Sequence, residues 1–252
     1  MYKLYQNAFT PWEWQPELKH IAEEEGLICF SSPFDKTSVD FLEAMDVPAY
    51  KIASFEITDI PLIEYVASKM KPVIISTGIA TYEDIEGAIA ACKRVGNDQI
   101  ALLKCTSSYP APVALANLRT IPDMRERFKL PVGLSDHTMS SSVAIASVAL
   151  GARILEKHFI LDRGIGGPDA AFSMNKEEFS EMVRCVREVE MALGKPTYEL
   201  TEKVRNNRKF ARSLFVAQDM YAGDTVTEEN VRSVRPLMVY RLSIYRIYWA
   251  KR

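Results

Sequence analysis

Two short runs of sequence, PVGLSDHT at residues 131–138 and ILEKHFIL at residues 154–161, decide the fold. Each is an apolar segment of strand length that carries polar side chains towards its carboxyl end. Between them, SSSVAIASVAL (140–150) has the length and apolar content of a helix. Strand, helix and strand in this order predict a parallel βαβ unit. Because the strands are almost continuously apolar, we expect helices to cover the sheet.

The same alternation extends through the preceding sequence. Both a doubly wound sheet and a (β/α)8 barrel fit it, and the GxGxxG fingerprint of dinucleotide-binding folds is absent. Polar side chains stand at the carboxyl end of each run, and in a barrel these ends meet at one mouth, where active sites are built. Four further runs carry the pattern: LICFSSPF (27–34), AYKIAS (49–54), PVIISTG (72–78) and IALLKCTS (100–107).

The strand count sets the expected architecture. Six strands are visible, whereas a TIM barrel has eight. The sequence therefore predicts an α/β fold of the (β/α)8 TIM-barrel class lacking its first two strands, which would precede Met1.

A second, smaller domain is predicted after the barrel. KEEFSEMVRCVREVEMAL (176–193) has the pattern of the last barrel helix, and Gly194 followed by Pro196 ends it. We therefore assign residues 1–194 to a partial TIM-barrel domain and residues 195–209 to a charged linker. Residues 210–252 would form a truncated, β-rich domain.

The composition excludes several classes of protein. The 252 residues carry 31 Lys+Arg against 33 Asp+Glu, a net charge of −2, so there is no basic excess for binding nucleic acid. No apolar run approaches the roughly 20 residues of a membrane helix, and residues 1–9 lack the apolar core of a signal peptide. We therefore expect a cytoplasmic protein. The four cysteines include no CxxC pair, which argues against disulfides and a thiolate zinc site.

Two of the three histidines fall at the ends of consecutive predicted strands. His137 and His158 would be neighbours at the barrel mouth, and two imidazoles with water suit Mn²⁺, Zn²⁺ or Fe²⁺. On geometry alone, the alternative that both bond backbone groups at strand ends is equally good. His20, on a predicted helix, is expected at the surface.

Lys51 and Glu56 share one strand end, AYKIASFE (49–56). A lysine inside a barrel can form a Schiff base with a carbonyl or bind phosphate as a point charge. Glu56 could orient or deprotonate a water molecule. A structural ion pair between the two residues is the simpler alternative.

Hydroxyl groups recur at the strand ends and suit phosphate binding. Scattered loop serines are the alternative, but recurrence at five of six ends favours a shared anion site. The glycine-rich loop GIGGPDAAFS (164–173) can bring backbone close to a ligand, and its Asp169 could accept hydrogen bonds from sugar hydroxyls or simply form a turn. The serines are Ser32, Ser54, Ser76, Ser107 and Ser135.

In sequence, the chain resembles the phosphoenolpyruvate-dependent sialic acid synthases, also called nonulosonic acid synthases. The resemblance covers most of the chain in order, and TPWEW (10–14) further resembles the pseudaminic acid synthase branch. The matching segments are FSSPFD (30–35), KIASFEITDIPLI (51–63), ISTG (75–78), KCTSSYPAP (104–112), GLSDHT (133–138), EKHF (156–159) and GPDAAFSM (167–174).

The resemblance implies a reaction between phosphoenolpyruvate, an open-chain acylamino sugar and water that gives a nine-carbon 2-keto acid and phosphate. In the pseudaminic branch the sugar is 2,4-diacetamido-2,4,6-trideoxy-L-altrose. His137 and His158 would bind a divalent ion, usually Mn²⁺, that polarises the sugar aldehyde. Glu56 would assist the addition of water.

The resemblance also implies the substrate contacts. Tyr109 and Asp169 match sugar-binding positions. Ser32 and Ser107 stand where the neuraminate branch has Thr and Asn, so they are the less regular matches. The positions expected to bind phosphoenolpyruvate are Lys51, Ser32, Ser54, Ser76, Ser107 and Ser135.

FARSLFVAQDMYAGDTVTEENV (210–231) resembles the start of the family's antifreeze-like (SAF) domain. In a homodimer this domain reaches over the partner's barrel, and Arg235 matches its contribution to the partner's sugar site. After Pro236 the sequence departs from the family, as a frameshifted or truncated tail would.

Three alternatives stay open at this point. The sugar could be that of an N-acetylneuraminate or legionaminate synthase, because a few loop contacts distinguish such substrates. Lys51 could instead serve a Schiff-base aldolase. The chain could also be an inactive fragment.

Overall fold

The wall of a half-barrel is the central feature of the fold. In the computed structural model, which describes residues 9–236, the sheet order follows the chain order without reversal. A doubly wound sheet reverses its order at a switch point, so that alternative is excluded and the α/β half-barrel is confirmed. The parallel strands are β1 (Tyr50–Ile52), β2 (Val73–Ser76), β3 (Ile100–Cys105), β4 (Val132–Asp136) and β5 (Leu155–Lys157).

Residues 27–34 form much less strand than their sequence predicts. They meet β1 through a single parallel bridge between Ser31 and Tyr50, and the Lys51 N–H donates to the Ser31 carbonyl at 3.2 Å. Pro33 has no N–H to donate, so it does not extend a ladder. The prediction of six strands is therefore wrong for residues 9–236, in which five strands and this bridge make up the sheet.

Helices connect the strands, and side-chain caps fix where several of them begin. Thr81 and Asp84 form the predicted cap at the start of one helix, and Asn175 with Glu178 forms the same box at another. The helices within residues 9–194 are α1 (Gln15–Glu24), α2 (Lys36–Ala44), α3 (Ile60–Ala67), α4 (Tyr82–Arg94), α5 (Thr120–Phe128), α6 (Ser141–Ala149) and α7 (Lys176–Leu193).

The core lies between the sheet and the surrounding helices. Ile52, Ile75 and Leu102, on three neighbouring strands, are completely buried. A second cluster joins α6 to α7 through Val148 and Met182. The apolar runs from which the strands were predicted therefore form the buried core, and this core supports the carboxyl ends of the strands.

Gly133 allows β4 to approach the chain leading into β5. A Cβ atom at this position would lie 2.3 Å from the Ile154 carbonyl oxygen, far inside van der Waals contact. The missing side chain therefore permits the close packing of the two strands that precede His137 and His158.

The chain divides between Gly194 and Lys195, and the described residues after that point, 195–236, belong to a separate unit. α8 (Glu202–Asn207) lies inside the segment expected as a linker. β6 (Ser213–Val216) and β7 (Val231–Val234) pair antiparallel. Arg235 follows directly after β7, and residues 237–252, including the divergent tail, lie outside the described part of the chain.

Two smaller expectations can also be compared with the structure. The His20 side chain is 69% exposed and lies 3.3 Å from Glu24, which confirms its surface position. All four cysteines are free, and two of them, Cys92 and Cys105, are buried. Within residues 9–236, no helix is both long enough and apolar enough to cross a membrane.

Candidate active site

A cavity of about 360 Å³ opens at the carboxyl ends of the strands. It brings together most of the site residues expected from the sequence, because parallel strands deliver their ends to one mouth. The residues lining it are Ser32, Lys51, Ala53, Ser54, Ser76, Tyr109, Ser135, His137, Glu156, Lys157 and His158.

The register between β4 and β5 places the two histidines level with each other. Ser135 pairs with Glu156, and Asp136 pairs with Lys157. His137 and His158 are the next residues, so each leaves its strand at the same height. Their ring centres lie 5.2 Å apart.

Each histidine has its Nδ1 atom directed at an oxygen. His137 Nδ1 lies 3.0 Å from the Thr106 carbonyl oxygen, which can only accept, so Nδ1 must carry the proton. His158 Nδ1 lies 3.4 Å from a carboxylate oxygen of Asp169, which favours a proton there as well. His137 therefore keeps Nε2 as its lone pair, and the nearby carboxylate favours the same form of His158, the arrangement typical of metal-binding histidines.

Aromatic rings support the two imidazoles. The Tyr109 ring centre lies 4.3 Å from that of His137, and the Phe172 ring centre lies 4.9 Å from that of His158. These contacts restrict the orientation of both imidazoles.

The surroundings move the two imidazole pKa values in opposite directions. Burial acts to lower the pKa of His137, but hydrogen bonds with Cys105 and the Thr106 carbonyl outweigh it and the pKa is raised. For His158, burial dominates over the nearby Asp169 carboxylate and lowers the pKa. A lowered pKa keeps His158 neutral near pH 7, the form that binds a metal.

The histidine pair fits a divalent transition metal. A metal–imidazole bond is about 2.0–2.1 Å long, so rings whose centres are 5.2 Å apart can reach a shared ion. Among the described residues, no group of three or more His, Cys, Asp and Glu side chains could hold a metal. A metal held by this pair would have two imidazoles as its protein donors, which leaves other positions to water or substrate.

The cavity also carries a cation. Lys51 is 8% exposed, and its Nζ lies 3.3 Å from Oε2 of Glu156. The Ser135 hydroxyl donates to Oε1 of the same carboxylate at 2.6 Å. No ion pair joins Lys51 to Glu56 in the part of the chain that the structure describes, so the simpler alternative for that pair is wrong.

The serine hydroxyls beside Lys51 differ in their partners. Ser54 Oγ accepts a hydrogen bond from the Gly78 N–H at 3.1 Å. Ser76 Oγ is buried and has no hydrogen-bond partner within residues 9–236. A buried hydroxyl without a partner costs free energy unless a ligand satisfies it, so Ser76 is suited to contact a bound anion.

Ser107 is not among the residues that line the cavity. A Cβ atom at Gly78 would meet Ser107 Oγ at 2.0 Å and Ser54 Oγ at 2.7 Å, which places both hydroxyls against this glycine. The Cys105 thiol is 3.9 Å from Ser107 Oγ and 3.9 Å from His137 Nδ1. Its pKa falls to about 7, because hydrogen bonds with His137 and Ser54 outweigh the opposing effect of burial.

Glu56 follows β1 in a short 3₁₀ turn, Ser54–Glu56, and is not among the residues that line the cavity. Its Oε2 atom is buried and has no hydrogen-bond partner in the described structure. Burial raises the pKa of this carboxyl, and the charge of Lys51 offsets the shift only in part. A carboxylate with one buried, unpartnered oxygen and a raised pKa is suited to accept a proton.

Asp169 contacts the site through His158, and its loop is tied to the first turn of α7. The Ser173 hydroxyl donates to the Asp169 carbonyl at 2.7 Å, and Arg163 Nε donates to the Ser173 carbonyl at 3.0 Å. Arg163 also bonds Glu178. Arg235 belongs to the other unit of the chain, and its role in a sugar site stays a prediction.

Sequence reasoning assigned no role in the site to Glu156 or Lys157. Both lie in the EKHF segment that was singled out for His158, and both line the cavity. The signal that could have found Glu156 is its position at a strand end two residues before a predicted metal ligand, on the same face of a strand.

Comparison with known proteins identifies the family. The chain is 46% identical to a pseudaminic acid synthase of Campylobacter jejuni over 94% of its own length and 69% of that protein's. It is 43% identical to a pseudaminic acid synthase of Helicobacter pylori over 98% of its length and 73% of the relative's. The crystal structure of the N-acetylneuraminic acid synthetase of Leptospira borgpetersenii, in complex with citrate, matches with a TM-score of 0.77 and 30% identity. That match covers 81% of this chain and 72% of the other.

The family model described as the NeuB family matches residues 1–198, the half-barrel with its strand-end cavity. Both the sequence match and the relatives therefore lead to one conclusion. The chain belongs to the NeuB family.

Proposed function

We propose that this chain is a pseudaminic acid synthase. It condenses phosphoenolpyruvate with 2,4-diacetamido-2,4,6-trideoxy-L-altrose and water to give pseudaminic acid and phosphate. Identities of 43% and 46% to pseudaminic acid synthases, against 30% to an N-acetylneuraminic acid synthetase, support this sugar over the neuraminate alternative.

One structural observation carries the proposal. A single cavity holds two imidazoles and, beside them, a buried lysine with serine hydroxyls. A divalent ion held by His137 and His158, which we take to be Mn²⁺, would supply Lewis-acid polarisation of the sugar aldehyde. The lysine and these hydroxyls suit the phosphate and carboxylate of phosphoenolpyruvate.

Lys51 and the serines bind and orient phosphoenolpyruvate. The Lys51 ammonium acts as a point charge for an anionic oxygen, and the unpartnered Ser76 hydroxyl is a free donor. Ser135 would contact the substrate by turning its hydroxyl away from Glu156. These contacts hold C3 of phosphoenolpyruvate against the aldehyde carbon, so that the new C–C bond forms between them. Positioning of this kind removes much of the entropic barrier to a two-substrate reaction.

Glu56 accepts the proton of the attacking water. In the condensed intermediate the electron pair of the C2–C3 double bond has formed the new C–C bond and the aldehyde oxygen has become an alkoxide, so C2 is electron-poor and the water oxygen bonds to it. The resulting C2 hydroxyl loses its proton and becomes the keto oxygen as the bond between C2 and the phosphate oxygen breaks. The two protons of the water end on the alkoxide and on the leaving phosphate. Burial favours proton uptake by Glu56 because it raises the pKa of the carboxyl. Tyr109 and Asp169, next to the histidines, contact the sugar.

The contacts of Lys51 favour the synthase over a Schiff-base aldolase. Its Nζ faces the Glu156 carboxylate at 3.3 Å, an arrangement that suits a cationic anchor. Treatment with pyruvate and borohydride should leave the mass of the chain unchanged. A borohydride-stable adduct on Lys51 would favour the aldolase instead.

The test of the proposal is phosphate release from phosphoenolpyruvate by the purified chain with Mn²⁺. The altrose sugar is compared with N-acetylmannosamine, and a chelator serves as control. Release that needs the altrose sugar and stops with chelator supports the proposal. Equal phosphate release with N-acetylmannosamine contradicts the proposal. The absence of phosphate release from a folded and soluble chain also contradicts it and favours an inactive chain.

Three further features belong to the same proposal. The enzyme acts as a homodimer in the cytoplasm, and the unit after Gly194 is the start of an SAF domain. Its antiparallel pair β6–β7 is compatible with a β-rich domain, and Arg235 directly follows this pair. Arg235 would serve the sugar site of the partner.

A further inference from the structure

Asp136 and Lys157 form an ion pair immediately before the two histidines. The residues face each other in the β4–β5 register, and Lys157 Nζ lies 2.7 Å from Asp136 Oδ2. Their side chains are only 3% and 2% exposed. No other salt bridge in the described residues has both partners so deeply buried.

Thr138 encloses the pair with hydrogen bonds. Its N–H donates to Asp136 Oδ1 at 2.9 Å, and its hydroxyl proton is shared between Asp136 Oδ2 at 3.2 Å and the Ser140 carbonyl at 3.1 Å. Lys157 Nζ also donates to the Thr138 carbonyl at 2.6 Å. The pair therefore ties β5 both to the end of β4 and to the residue just after His137.

The energetics of burial point to a role in geometry. A buried ion pair loses hydration on folding, and replacing such a pair with apolar groups is often neutral or stabilising. Stabilisation of the fold is therefore a weak explanation for the presence of this buried ion pair. Their contacts are directional, whereas apolar contacts are not, so they can specify one arrangement of the strand ends.

The contacts of the imidazoles with Thr106, Asp169, Tyr109 and Phe172 orient the rings but do not join β4 directly to β5. β5 has three residues, and its register with β4 ends at the Asp136–Lys157 pair. His137 and His158 lie one residue beyond that end. The ion pair is thus the last link between the two strands before the imidazoles.

We propose that Asp136 and Lys157 are a positioning pair that fixes the separation of the His137 and His158 rings so that both reach one divalent ion. The metal-binding consequence rests on the proposed function. The separation of the rings is a property of this chain and can be measured without a metal.

The test replaces both members at once, because removing one would leave a buried charge without its partner. In Asp136→Asn with Lys157→Met, crystal structures of variant and parent without metal should show the ring separation changed by at least about 0.5 Å. Mn²⁺ affinity, measured by electron paramagnetic resonance of the free ion, should fall about 10- to 100-fold, as for other outer-shell partners of metal ligands.

A matched control removes another Lys–Asp pair. Lys71 Nζ lies 3.0 Å from Asp46 at a more exposed position, near the amino end of β2. Asp46→Asn with Lys71→Met makes the same change of charge and should leave the Mn²⁺ affinity within about twofold of the parent. An equal loss in this control would overturn the assignment of the effect to the buried pair.

Two results would overturn the proposal itself. One is a folded variant whose ring separation equals that of the parent, and the other is an unchanged Mn²⁺ affinity. If the parent fails to bind Mn²⁺, the proposed function is wrong, but the ring separation still decides the role of the pair. If the first double variant does not fold, Asp136→Leu with Lys157→Met takes its place under the same criteria.

Discussion

The ring centres of His137 and His158 lie 5.2 Å apart, at the ends of strands that are directly hydrogen-bonded to each other. Each ring has Nδ1 engaged by an oxygen of a different segment, Thr106 for one and Asp169 for the other. The fold therefore presents two free imidazole nitrogens to one cavity. This arrangement makes the metal assignment open to direct test.

Replacing either histidine should abolish metal-dependent turnover. His137→Ala and His158→Ala each remove one of two protein ligands, so Mn²⁺ affinity should fall along with phosphate release. His20→Ala is the matched control, because this exposed histidine lies on α1 and should not affect either quantity. Full activity in His137→Ala or His158→Ala would contradict the assignment of these residues as metal ligands.

Glu56→Gln should impair catalysis and spare binding. The amide cannot accept a proton from water, so kcat should fall by about 100-fold or more while the affinity for phosphoenolpyruvate changes little. Steady-state kinetics and a binding titration separate the two effects. A variant that mainly loses affinity would show that Glu56 contacts the substrate instead.

The raised pKa of Glu56 also predicts how stability changes with pH. The folded protein holds this proton more tightly than the unfolded chain does, so unfolding releases protons. Stability therefore falls as the pH rises from the ordinary value near 4.5 through the raised pKa. Glu56→Gln should raise the thermal midpoint relative to the parent at pH 7, with a smaller difference at pH 4.

The control for that comparison is Glu25→Gln, an exposed carboxylate after α1. It should shift the midpoint equally little at both pH values. A Glu56→Gln variant with the same pH profile as the parent would argue against a buried, unpaired carboxyl.

Local patterns were enough to locate the mouth of the half-barrel. Ser76, His137 and His158 each stand at or just past the end of an apolar run, and parallel strands bring such ends together whatever their exact register. The length of the strand predicted at residues 27–34 was overestimated, because strand formation there depends on a partner segment. A strand exists only where another chain segment supplies its ladder, and the composition of the run does not reveal that partner.

Contacts across strands could not be predicted. The sequence placed Glu56 beside Lys51, yet the partner of Lys51 is Glu156, which also receives the Ser135 hydroxyl. Which residue faces Lys51 depends on the curvature of the whole sheet. The pairing of Asp136 with Lys157 is likewise a matter of register.

Gly133→Ala tests whether the close approach of β4 to the chain before β5 supports this fold. The added Cβ would lie 2.3 Å from the Ile154 carbonyl oxygen and 2.8 Å from the Ile154 Cβ, so backbone must move. We expect urea unfolding to show a loss of about 1–3 kcal/mol in the free energy of unfolding, the usual cost of overpacking.

Gly87→Ala is the control. Gly87 lies in α4, and the nearest atom to an added Cβ would be 3.8 Å away. This substitution should be neutral or stabilising by up to about 1 kcal/mol. Equal stability of Gly133→Ala and the parent would mean that β4 and β5 can separate without cost, which is incompatible with a fixed spacing of His137 and His158.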